Sequence, residues 1–101
     1  MARYDVYANP NAEAAGYLLD VQTDLLDGLN TRIVVPLFPL AAAPEPANRL
    51  NPIFAIGGED VVMVTQYLAA VPLSLLTAPM GNMSELSTEI TTALDMVFQG
   101  F

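Results

Sequence analysis

Apolar and polar residues alternate with period two over most of the first two thirds of this chain. Such alternation marks half-buried strands, because successive side chains point to opposite faces. In Arg3 to Ala8, Tyr4, Val6 and Ala8 share one face while Arg3, Asp5 and Tyr7 share the other, so this segment is predicted as a strand ending at Asn9-Pro10-Asn11. Ala12 to Gly16 mixes helix-favouring alanines with a length too short to sustain a helix, and reads as loop. Tyr17, Leu19 and Val21 then alternate with Leu18, Asp20 and Gln22. A second apolar run follows, in which Ile33, Val34 and Val35 are consecutive and β-branched, as in a strand covered on both faces. Between these two strands, Thr23 to Gly28 carries acceptor side chains and a glycine able to take positive φ, the makings of a tight, hydrogen-bonded turn.

Pro36 and Pro39 lack donors and predict an edge strand or a bulge. Leu40 to Pro52 holds three prolines without periodicity and reads as an irregular surface connection. The plainest hairpin is Ile53 to Ile56, Gly57-Gly58, then Glu59 to Val64, since a diglycine turn suits the primed turns of two-residue hairpins. Val71, Leu73 and Leu75 are placed on one face of a further strand that Pro72 confines to an edge or to its opening residues. The period then changes. Met83, Leu86, Ile90, Leu94 and Val97 recur at three and four residues, an amphipathic helix running out to Phe98, with Asn82 as N-cap and Glu85 completing a capping box. Several strands followed by one helix in 101 residues predict a single domain, mainly β, built as a small barrel closed by the helix.

Composition narrows the chemistry. The chain has no cysteine and no histidine, which removes disulfides, thiolate metal sites and imidazole bases together. No cofactor is expected. Asp20, Asp24 and Asp27 could bind a divalent cation, but their spacing is not that of a calcium loop, and Asp24 and Asp27 stand where turn-capping acids belong. Arg32 is expected to form a local ion pair with Asp24 or Asp27, of little weight at a surface. Three arginines against eleven acids give a net charge of −8. Three cations make a poor phosphate-binding surface, so direct nucleic-acid binding is not expected and a basic protein partner, or one that normally grips DNA, is. Apolar residues are 53% of the chain against 14% charged, which predicts an apolar surface that a homodimer would cover. Val61 to Ser84 has no charged residue, yet its prolines, glycine and hydroxyls suit two buried strands and no membrane span. Asp5 interrupts the only place for an export signal, and a cytoplasmic location is expected. Tyr4, Tyr7 and Tyr17 read as core aromatics, whereas the tail Phe98-Gln99-Gly100-Phe101 ends the chain on two rings that need somewhere to dock.

The segment "DVQTDLL" followed by "NTRIVVPL" resembles the CcdB family of toxins, the gyrase poisons of toxin–antitoxin modules. "AAVPLSLL" at Ala69 to Leu76 is similar to the family's second Val-Pro strand, and the aromatic-x-Gly-hydrophobic tail matches its end. The resemblance covers nearly the whole chain. It implies an SH3-like barrel with a C-terminal helix, a homodimer, a CcdA-type antitoxin as partner, and no enzymatic activity of its own. It also implies that the paired tails insert at the dimerisation gate of the DNA gyrase A subunit, helped by the first strand and the acidic turn. Carried over by position, the implied contacts are Arg3, Tyr4, Tyr7, Thr23, Leu25 and Leu26 from the front of the chain and Asp95, Phe98, Gln99, Gly100 and Phe101 from its end. Gln99 departs from the family pattern, whose best-known member has tryptophan there. Two other functions compete. One is RNA cleavage of the MazF or Kid type on the same barrel, for which the chain offers no evident base and few cations. The other is an antitoxin-binding relative that no longer poisons gyrase.

Overall fold

A computed structural model describes residues 2–10 and 16–100. Its regular elements are seven strands and one α-helix, joined by short 3₁₀ turns and loops: β1 Asp5–Ala8, β2 Tyr17–Asp20, β3 Thr31–Pro39, β4 Ile53–Ile56, β5 Glu59–Met63, β6 Ala69–Pro72, β7 Gly81–Asn82 and α1 Ser87–Gln99. All pairings are antiparallel, in the order β4-β5-β3-β2-β1-β7, and β6 also pairs with β3. The chain is mainly β, a curled half-barrel with a C-terminal helix. The loop reading of Ala12 to Gly16 falls mostly on residues outside those described.

The alternation in sequence becomes two apolar layers. Val6, Leu19, Val35, Leu37, Phe54 and Val61 line the inner face, where Met83, Ile90 and Ala93 from the helical end of the chain pack on them. Tyr7, Leu18, Val34 and Leu76 form a smaller cluster on the outer face. Strand β3 has buried side chains on both faces, as its β-branched run predicts.

β3 is central, and neither an edge nor bulged. On one side it pairs with β2 over residues 34–37, and on the other with β6 over 31–34 and β5 over 37–39. Pro36 is tolerated because its missing donor faces the changeover between β6 and β5, where its carbonyl accepts from the Val64 N–H at 3.0 Å. The diglycine hairpin is as expected, with Gly57 at φ 59° and Gly58 at φ 81°. The first strand begins at Asp5, because Tyr4 takes φ 73° and breaks the extended run. Gly28, by contrast, is not among the positive-φ residues.

Pro72 closes β6, and Leu73 to Leu75 form a 3₁₀ turn, so Val71, Leu73 and Leu75 do not share a strand face. The uncharged stretch from Val61 therefore holds the buried end of one strand, β5, and two largely exposed strands, β6 and β7. Among the described residues no helix is long and apolar enough to cross a membrane. The capping box is absent as well. Asn82 lies in β7, its Oδ1 accepts from Ser84 N–H at the head of a 3₁₀ turn, and α1 starts after Leu86 with no side-chain cap.

Candidate functional site

The turn between β2 and β3 is built around a buried cation. Arg32 is fully enclosed, and its guanidinium donates to Asp20 twice, Nε to Oδ2 at 2.7 Å and Nη2 to Oδ1 at 3.0 Å. Nη2 also donates to the Gln22 carbonyl at 3.2 Å, and Nη1 to Asp27 Oδ1 at 3.3 Å. Asp24 lies 3.6 Å from Nη2. This replaces the expectation of a surface pair with Asp24 or Asp27: the principal partner is Asp20, itself fully buried, in the two-pronged geometry that suits a guanidinium and a carboxylate. Burial pushes the Asp20 carboxyl above its ordinary range, and Arg32 and the Gln22 N–H draw it only part of the way back. Burial alone would lower Arg32, but its bonds to Asp20 together with the charges of Asp20, Asp24 and Asp27 outweigh that and hold it above its ordinary value.

Around this cation the turn is rigidly tied. Thr23 Oγ1 accepts from the Leu25 N–H, starting a 3₁₀ turn over Asp24–Leu26. The buried Gln22 side chain donates to the Leu26 carbonyl and accepts from the Ile33 N–H, joining the turn to β3. Asp24 Oδ1 accepts from the Arg3 N–H at 2.8 Å, and Arg3 Nε donates to the Val21 carbonyl, so the start of the chain is fastened to the same turn. Arg3 stacks 4.8 Å above the Tyr4 ring. Arg3, Tyr4, Thr23, Leu25 and Leu26 thus lie in one neighbourhood. At its apex Leu25 is 92% exposed, with Leu26 and Leu29 about half exposed beside it.

Tyr7, also among the expected contact residues, is fully buried in the outer cluster. Its hydroxyl makes no hydrogen bond of normal geometry, though it feels the Asp5 carboxylate. Burial, with Asp5 and Asp20 nearby, pushes its pKa up to about 12.

The second group of expected residues sits at the far end of α1. Asp95 and Gln99 are exposed, Phe98 is 70% exposed, and Gly100 closes the helix at φ 81° with its N–H on the Met96 carbonyl. Phe101 lies outside the described residues. Among the described residues no hydrogen bond or ion pair joins this tail to the acidic turn.

The sequence model of the CcdB protein family matches residues 3–100, which takes in both the turn and the tail as far as Gly100. The chain belongs to the CcdB family. It is therefore grouped with the toxins of toxin–antitoxin modules, and the CcdB fold here presents two apolar displays, Leu25 on a clamped turn and Phe98 at a helix end. The sequence reading passed over Leu29 and Gln22, and weighed Asp20 as a cation ligand and not as the buried partner of Arg32. Leu29 carried a usable signal, a third leucine within "DLLDGL"; the burial of Asp20 and Gln22 did not, since the alternation assigns them only to the face opposite Val21.

Proposed function

We propose that this CcdB-family chain is a non-enzymatic, cytoplasmic toxin that binds the DNA gyrase A subunit as a homodimer, traps the cleaved gyrase–DNA complex, and is neutralised by a CcdA-type antitoxin. The observation that carries this reading is Leu25, an apolar side chain left 92% exposed on a turn whose every neighbour is tied down. An exposed leucine on a preorganised turn is what a binding hot spot requires, since little ordering entropy remains to be lost on docking. Phe98 supplies a ring of the same character. In the proposed contact set Arg3, Tyr4, Thr23, Leu25 and Leu26 act from the turn side, and Asp95, Phe98, Gln99, Gly100 and Phe101 from the tail. Tyr7, buried on β1 itself, packs against Leu18, Val34 and Leu76. The two groups would meet across the dimer, where the tails of both copies come together.

The phosphate clamp that an RNA-cleaving toxin needs finds no support here: of the three arginines, Arg32 is buried and bound to Asp20. The test is incubation of the purified protein with gyrase, ATP and supercoiled plasmid, followed by detergent and protease. Linear DNA is expected. Cleavage of single-stranded RNA by the protein alone would overturn the proposal.

A further inference from the structure

Strand β4 ends the sheet, and half of its backbone makes no hydrogen bond among the described residues. In the diglycine hairpin Ile56 and Glu59 flank the turn, and bonded pairs then recur at every second residue, down to the Met63 N–H on the Pro52 carbonyl at 3.0 Å. That phase points the N–H and C=O groups of Ile53 and Ala55 away from β5. Neither residue makes any other hydrogen bond among the described residues. Proteins ordinarily blunt such an edge with lysine, proline or a bulge. β4 has none of these; Ile53-Phe54-Ala55-Ile56 carries no charge, with Ile53 49% exposed and Ala55 exposed.

The edge is also flanked by space. At the Ile53 end a cleft of about 550 Å³ opens between the 46–53 segment and Thr88, Glu89 and Thr92 of α1. At the Ala55 end a groove of about 370 Å³ separates β4 from β7, with Val6, Tyr17, Met80 and Met83 among its lining. One extended chain lying along β4 would reach both.

Charge selects the occupant. Asp60 stands directly across from Ala55 and Glu59 across from Ile56, and Glu89 lines the cleft, with Arg49 the one cation in that set. The whole chain carries −8. A second copy of this chain would bring like charge to the edge, whereas a cationic segment would be drawn to it.

We propose that the free edge of β4 is a strand-addition site for an extended cationic segment of a partner protein, paired through the backbone of Ile53 and Ala55. Alternate apolar side chains of that segment enter the groove beside Met80 and Met83, and its lysines or arginines meet Asp60, Glu59 and Glu89. This site is separate from the clamped turn and from the helical tail, and does not depend on the gyrase reading.

The test uses the full chain and a fluorescent dodecapeptide of alternating valine and lysine, with a valine–glutamate peptide and a valine–lysine peptide N-methylated at every second residue as comparisons. Saturable binding of the cationic peptide that weakens with salt is expected, together with slowed amide exchange at Ile53 and Ala55 only in β4. The N-methylated and acidic peptides should bind at least about tenfold more weakly, the first because its donors are gone. Ala55→Pro deletes an outward donor and no ladder bond, so it should leave the thermal transition nearly in place and weaken the peptide by a similar factor. Absence of saturable binding, equal binding of the acidic or N-methylated peptide, or protection at residues away from β4 would each overturn the proposal. Should Ala55→Pro fail to fold, the N-methylated peptide and the exchange pattern decide alone.

Discussion

Replacing Arg32 by methionine should be among the most damaging single changes to this fold, although the residue lies beside a surface turn. Arg32 makes two bonds to a carboxylate with no solvent exposure, Asp20, one to the Gln22 carbonyl and one to Asp27. Methionine fills much of the volume but leaves Asp20 a buried charge with only the Gln22 N–H for company. Breaking a buried pair from one side costs about 3 to 5 kcal/mol, a large part of the 5 to 15 kcal/mol that holds a typical domain together. Arg32→Lys retains the charge but loses the fork, and should fall between, near 2 kcal/mol. Asp20→Leu combined with Arg32→Met removes both charges and should recover most of the loss, to within about 2 kcal/mol of the parent. Urea unfolding at fixed protein concentration measures all three. An Arg32→Met cost below about 1 kcal/mol, or a double replacement as unstable as Arg32→Met alone, would refute a buried pair that holds the turn. In the surviving Arg32→Lys protein, amide exchange at Leu26, Asp27 and Leu29 should quicken before that at Val21, because those three close the turn.

Other consequences are as direct. The Tyr7 pKa is raised in the folded protein, so its stability contribution is intact below pH 10 and is lost as pH rises from about 10 to 12. The loss is on the order of 2 to 3 kcal/mol. Tyr7→Phe should flatten that alkaline decline and leave neutral-pH stability unchanged or up to about 1 kcal/mol higher, since the buried hydroxyl lacks a proper hydrogen bond; a loss above 2 kcal/mol would show that the Asp5 contact matters more. Gly16→Ala should destabilise by more than about 2 kcal/mol, because Gly16 takes φ 108° and a Cβ would collide with the Leu37 carbonyl oxygen. Deleting Gln99 to Phe101 should shift the urea midpoint by no more than about 1 kcal/mol while removing partner binding, since Ile90 and Ala93 are the last fully buried helix positions. Gln99→Trp should tighten gyrase binding by adding a ring on which an arginine could stack.

The sequence showed most of the architecture because period-two patterning and turn chemistry are local properties. The diglycine hairpin, the two faces of β2 and the core stripe of the helix all follow from residues within a few positions of each other. Pairing is not local. Nothing in "VVPLFP" reveals that β3 changes partner from β6 to β5 at Pro36, and that changeover is what lets a proline-bearing strand sit in the middle of the sheet. Asp20 and Arg32 were misjudged for a similar reason: twelve residues apart, each looks solvated until the two strands bring them face to face. The helix start was misplaced because Asn82 is claimed by β7 and by contacts to Arg3 and Asp5, far away in sequence. Phe98 drew notice from its place in an apolar tail, but exposure at Leu25 could be expected only by resemblance, since neither composition nor period distinguishes a displayed leucine from a core one.

The central claim is that the clamped turn and the helical tail form one surface for the gyrase A subunit. Calorimetric titration of that subunit with the parent protein, Leu25→Glu and the chain lacking Gln99 to Phe101 tests it most directly. The parent should bind saturably, and each variant, still folded by circular dichroism, should lose at least about 2 kcal/mol of binding free energy, the range of a hot spot. Unchanged affinity in either folded variant, or no binding by the parent, would contradict it.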